Sequence, residues 1–148
     1  MSTTIELKFT WSQRAILLIL YLSKGEISKQ KLNALLYLIY KELKNMDPSE
    51  DLDFYINMKT KEIEITTPGG DTNINDILDI LSLDELIDVE INNGKVYLTE
   101  EGYKIAKEIM NDLKYKDEVG VILKIVAQYR DMSDKGLTNV ILENLKHL

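Results

Sequence analysis

The chain carries few residues that could run a reaction. Its one histidine, His147, stands beside the last residue, and there is no cysteine. A Ser-His-Asp or Cys-His arrangement needs an imidazole held in place by a third group inside a fold. A lone histidine at such a position is ordinarily a surface group. Without cysteine there is no disulfide framework and no thiolate metal site. Neither G-x-x-x-x-G-K-[ST] nor G-x-G-x-x-G occurs, so no phosphate cradle is announced. Pro68-Gly69-Gly70-Asp71 reads as a turn. Carboxylates remain. Asp76 and Asp79 lie one helical turn apart, with Asp84, Glu85 and Asp88 close behind. Clustered carboxylates can hold Mg2+ or Ca2+, but no Asp-x-Asp-x-Asp-Gly loop is present, and a solvated acidic face is the better reading. The sequence predicts no catalytic residue, no cofactor, no metal and no enzyme.

Binding is the remaining chemistry. The net charge is −7, unevenly spread. Residues 1–46 hold seven cations and three acids, residues 47–100 three cations and fourteen acids, and residues 101–148 eight of each. Nucleic-acid binders show a basic face, and only the N-terminal part could supply one. The best DNA candidates are Lys24, Lys29, Gln30 and Lys31 around the start of a second helix, with Asn92, Asn93 and Lys95 on a hairpin. A dimer would double that patch. The third helix offers Asn73, Asn75, Asp76 and Asp79 and no cation, which suits phosphate badly. Tyr21, Tyr37 and Tyr40 fall on the two most apolar helices. Tyrosine pairs a large apolar body with a polar tip and is enriched at interfaces. With Asp76 and Asp79, these tyrosines are the candidate surface for a protein partner or a second copy. Core packing with the hydroxyls at the rim is the plainer alternative.

The elements that must position these residues follow from periodicity. Thr10 or Ser12 can cap a helix running to about Ser23, and Thr10 with Gln13 has the capping-box spacing. Gly25 breaks the chain. Ser28 caps a second helix to about Lys44, with Leu32, Leu35, Leu36, Ile39 and Leu43 on one face. Both helices are apolar nearly all round, which places them centrally or at an interface, and two of them imply that a partner surface is also covered. Met46–Glu50 reads as a linker, and Phe54–Met58 with Glu62–Thr66 as a hairpin. Asn73 or Asn75 caps the third helix, with Ile74, Ile77, Leu78 and Leu81 inward, and a short helical turn is expected at Leu83–Leu86. Leu86–Ile91 and Lys95–Leu98 form strands about an Asn92-Asn93-Gly94 turn. Thr99 caps the next helix, with Ala106, Ile109, Met110 and Leu113 inward. Two closing helices follow, the first over Val119–Tyr129 and the second opening at Ser133 or Asp134, with Leu137, Val140, Ile141, Leu145 and Leu148 at helical spacing.

Helix, hairpin, capped helix is the wiring of a winged helix, the hairpin being the wing. Tyr97-Leu98-Thr99-Glu100-Glu101-Gly102 resembles the "Y-x-L-T-x-x-G" that follows the wing in many prokaryotic members of that fold. Lys31-Leu32-Asn33-Ala34-Leu35-Leu36-Tyr37-Leu38 is similar to the "K-L-x-K-L-L-Y-L" helix of the Panacea (SocA-like) antitoxin and adaptor family and its archaeal relatives, with Ala34 where a lysine is usual. Strand Phe54–Met58, the wing, and Leu123–Tyr129 with Ser133 and Leu137–Leu142 resemble that family in the same order. Thr67-Pro68-Gly69-Gly70 stands near the place of the family's Gly-Pro-Tyr-type turn, which this chain lacks. The resemblance implies toxin neutralisation or adaptor work by protein contact.

The expected fold is therefore mainly α with a small β component. It is one domain over residues 1–148, with a winged-helix core at about 10–114 and a C-terminal helical extension at about 117–148. The longest apolar run, Ala15–Leu22, falls short of the roughly 20 residues of a membrane span. The N-terminus lacks the basic region and cleavage site of a signal peptide. A cytoplasmic protein is expected, and richness in Ile, Leu, Lys and Glu with little Gln leans towards a thermophilic archaeon. Two functions remain open: a regulator working through a protein partner or homo-oligomer, and a dimeric helix-turn-helix transcriptional regulator on DNA.

Overall fold

A computed structural model describes residues 9–43, 52–57, 59–60, 62–66, 73–90 and 93–146. The chain is mainly helical with small antiparallel sheets. Helix α1 (Trp11–Leu22) opens on the expected capping box: Thr10 Oγ1 accepts from the Gln13 N–H, and Gln13 Oε1 accepts from the Thr10 N–H at 3.0 Å. Strand β1 (Glu26–Ser28) leads into α2 (Lys29–Leu43), and the hairpin β2 (Asp53–Ile56) and β3 (Ile63–Thr66) follows. Then come α3 (Ile74–Leu83), β4 (Ile87–Glu90), β5 (Lys95–Leu98) and α4 (Glu100–Asn111). A 3-10 turn at Leu113–Tyr115 joins α5 (Lys116–Tyr129), and α6 (Asp134–Lys146) ends the described chain.

The wing pairs Ile87 with Leu98 and Glu90 with Lys95, and Gly94 takes the positive φ, 65°, that its tight turn requires. The return strand β5 is central, with β1 on its far side, Glu26 opposite Tyr97. The sheet order is thus β1-β5-β4, with all pairs antiparallel. The chain departs from a simple helix-turn-helix because the whole of segment 44–73, hairpin included, lies between α2 and α3.

Helix α1 is the hub. Residues Ala15 to Leu20 are entirely buried, with α4, α2, α5, β5 and β1 packed round them. The apolar excess of α1 is thus covered by the chain itself, where its sequence had implied a partner. The closing helices belong to the same core: Ile122, Val126, Leu137 and Ile141 are buried in one cluster with α1 and α2. A buried ion pair ties the two halves together. The Arg14 guanidinium donates to both carboxylate oxygens of Glu118 at 2.8 and 2.7 Å, lies 4.3 Å from the Tyr115 ring centroid and also donates to the Phe9 carbonyl.

Two expectations need correction. No helical turn spans Leu83–Leu86: α3 stops at Leu83 in a Schellman pattern, with the Leu86 N–H on the Leu81 carbonyl and the Glu85 N–H on the Ser82 carbonyl. Glu85 takes the left-handed φ of 62° that glycine usually supplies. Leu113 does not face inward; α4 ends two residues before it, and the side chain is 84% exposed.

Leu86 also explains the glycine after the wing. The first turn of α4 lies on its carbonyl, which accepts from the Thr99 N–H, and a Cβ on Gly102 would strike that oxygen. Thr99 caps α4 by accepting from the Gly102 N–H at 3.0 Å while its hydroxyl donates to the Glu85 carbonyl at 2.6 Å. Expected features at Met46–Glu50, Pro68–Asp71, Asn92 and His147 lie outside the described residues.

Candidate functional site

The start of α2 gathers most of the DNA candidates. Lys24, Lys31 and Lys95 line one open cleft of about 550 Å3, together with Arg130, which sequence reading had not connected to them. Lys29, Gln30 and Asn93 line an adjoining cleft of about 570 Å3. Bringing them together does not leave them free. Ser28 Oγ accepts from the Lys31 N–H and donates to Asp134 at 2.6 Å. Gln30 Nε2 donates to Thr138 at 3.4 Å, and Lys31 Nζ donates to the Arg130 carbonyl. Lys29 Nζ donates to Asn75. Asn93 Oδ1 holds the wing by accepting from the Lys95 N–H at 3.0 Å.

The junction of α5 and α6 therefore lies across the start of α2. It leaves Lys29, Gln30, Lys31 and Lys95 half-buried, and only Lys24 of the candidate cations is exposed. It also brings in Asp131 and Asp134 along with Arg130, so that with Glu26 of β1 three acids share the first cleft with its four cations. Phosphate approaching that cleft meets nearly balanced charge, which weakens attraction further at physiological salt.

The outer face of α3 is built differently. Asn73 accepts from the N–H groups of Asn75 and Asp76 at 2.9 and 3.2 Å, and Asp76 Oδ2 accepts from the Asn73 N–H at 2.9 Å. Asp76 thus caps its helix as well as facing solvent. Asp79 is exposed one turn on, beside an open groove of about 400 Å3 floored by Val89 between α3 and the wing. Ile80 and Leu83 are 48% and 83% exposed. No lysine or arginine occurs between Asn73 and Glu90.

The tyrosine candidates turn inward. Tyr37 and Tyr40 pack on Phe54 with ring centroids 5.2 and 5.1 Å apart, Trp11 stacks on Tyr40, and Tyr21 meets Tyr103 edge-on. Burial pushes the Tyr37 phenol up from its ordinary value. These rings fasten hairpin β2–β3 to α2 and α1 to α4. Their half-buried edges are what remains for a partner.

Sequence reading also missed Asn33. It is buried in α2, and its Nδ2 donates to the Ile63 carbonyl at 3.0 Å, which pins the hairpin, while its Oδ1 has no partner among the described residues. A lone asparagine within a leucine-rich helix was the available signal. On the hairpin's outer face, hydrogen bonds from Tyr55 and Asn57 hold the Glu64 carboxyl below its ordinary range. Among the described residues no three carboxylates or imidazoles converge as metal ligands, and no helix is long and apolar enough to cross a membrane. No family model, no curated protein and no solved structure matches the chain.

Proposed function

We propose that this protein is a non-enzymatic regulatory module of winged-helix type that works by protein contact, in the manner of an antitoxin or adaptor, in the cytoplasm. The observation that supports this reading is the crossing of the α5–α6 junction over the start of α2, which puts Asp131 and Asp134 among its cations. Three of the side chains that a DNA-binding version would use are hydrogen-bonded within the chain: Lys29 with Asn75, Gln30 with Thr138, Lys31 with the Arg130 carbonyl. The helix that reads the major groove in winged-helix DNA binders carries carboxylates here. The resemblance of Lys31–Leu38 and of the closing helices to the Panacea family points the same way.

A second reading, a dimeric DNA-binding regulator, has one observation in its favour: Lys24, Lys31, Lys95 and Arg130 do surround a single cleft. Fluorescence anisotropy against duplex DNA from the protein's own promoter separates the two. Protein contact predicts no binding at micromolar protein. Binding that weakens steeply between about 50 and 200 mM salt, as counterion release requires, and that vanishes in Lys29→Glu with Lys31→Glu, would establish the DNA reading instead.

A further inference from the structure

We propose that the outer face of α3 is a docking surface for a cationic amphipathic helix of a partner protein. This rests on the protein-contact reading and adds the place and the chemistry of the contact.

Ile80 and Leu83 stand one turn apart on this face. Among the described residues they are the one pair of exposed large apolar side chains with that spacing on a helix; Tyr55, Tyr103, Leu113 and Leu123 are scattered. The inner face of α3 packs on β3 and β4; on the outer one Asp76, Asp79, Ile80 and Leu83 are exposed, with Lys29 reaching Asn75 at its edge. Apolar side chains about 5–6 Å apart along a helix accept leucines at matching i, i+3 or i+4 positions of a second helix.

The rim fixes the charge of the occupant. Asp76 and Asp79 precede the apolar pair by one turn, and Asp84 and Glu85 follow it. Several of these placements disfavour α3 in isolation. Asp76 and Asp79 are like charges at i, i+3. Asp84 and Glu85 stand at the negative end of the helix, where cations are preferred. Glu85 holds a left-handed backbone, φ 62°, that disfavours a non-glycine residue. A lysine- or arginine-flanked helix relieves all the electrostatic penalties at once. Phosphate would worsen them.

The test uses the full chain and a fluorescein-labelled synthetic peptide of about 18 residues, with leucines along one face and lysines flanking them. Saturable binding is expected, weakening as salt rises. Ile80→Ala with Leu83→Ala should weaken it about tenfold or more, while Leu113→Ala with Leu123→Ala should leave it unchanged. The surface is overturned if the peptide does not bind, if the two double variants lose affinity equally, or if a peptide with glutamates in place of the lysines binds as well. Failure here without DNA binding removes this surface and leaves the protein-contact reading; salt-steep DNA binding removes both.

Discussion

Two surfaces of this small fold invite opposite expectations, and the structure treats them in opposite ways. The start of α2 is cationic in sequence, yet the α5–α6 junction lies across it and supplies Asp131 and Asp134 as neighbours. The outer face of α3 is acidic and partly apolar, and it is left open. Local charge therefore does not decide which surface is offered. Long-range packing does, because the closing helices are anchored on the first two and take up the polar groups where they cross.

The comparison can be broken at the anchor. Glu118 is a buried counterion of Arg14, so Glu118→Ala removes a bidentate acceptor from a buried guanidinium. A loss of about 3–5 kcal/mol is expected by urea unfolding, with α5 loosened from α1. A near-neutral result would mean that the closing helices are held some other way. Next in size is Gly102→Ala, which drives a methyl into the Leu86 carbonyl where α3 ends and α4 begins. About 1–3 kcal/mol should be lost. A smaller effect is expected at the crossing itself. Asp134→Ala removes the acceptor of the Ser28 hydroxyl, costing about 1 kcal/mol, and should speed hydrogen exchange in the first turn of α6. Smallest of all, Ile80→Ala with Leu83→Ala should leave the unfolding midpoint almost unmoved, within about 0.5 kcal/mol per site. A large destabilisation there would show that the α3 face serves this chain's own fold and is no free surface.

Elements with a local cap and strict periodicity were legible in the sequence. Thr10 with Gln13, Asn73 (one of the two caps the sequence offered) and Thr99 each start a helix, and Ile74, Ile77, Leu78 and Leu81 all face the core. The end of α3 was not legible, because Glu85 occupies a left-handed position without the glycine that usually marks one. The burial of α1 was legible but its cause was not. Apolar periodicity cannot tell a partner's surface from that of α4 and α5. The surroundings of the candidate sites were not legible for the same reason. Lys29, Gln30 and Lys31 were rightly placed on the first turn of α2, but their partners Asn75, Thr138 and Arg130 lie far along the chain. Arg14 was the clearest missed signal, a lone cation within an unbroken apolar helix that demands a buried acid.

The most direct test is backbone NMR of the full chain, titrated separately with the leucine–lysine peptide and with promoter duplex DNA. Peptide-induced shifts confined to Asn75–Glu85 are expected, with no saturable shifts on adding DNA. Saturable DNA-induced shifts centred on Lys24, Lys29–Lys31 and Lys95, with α3 unmoved by the peptide, would contradict the account.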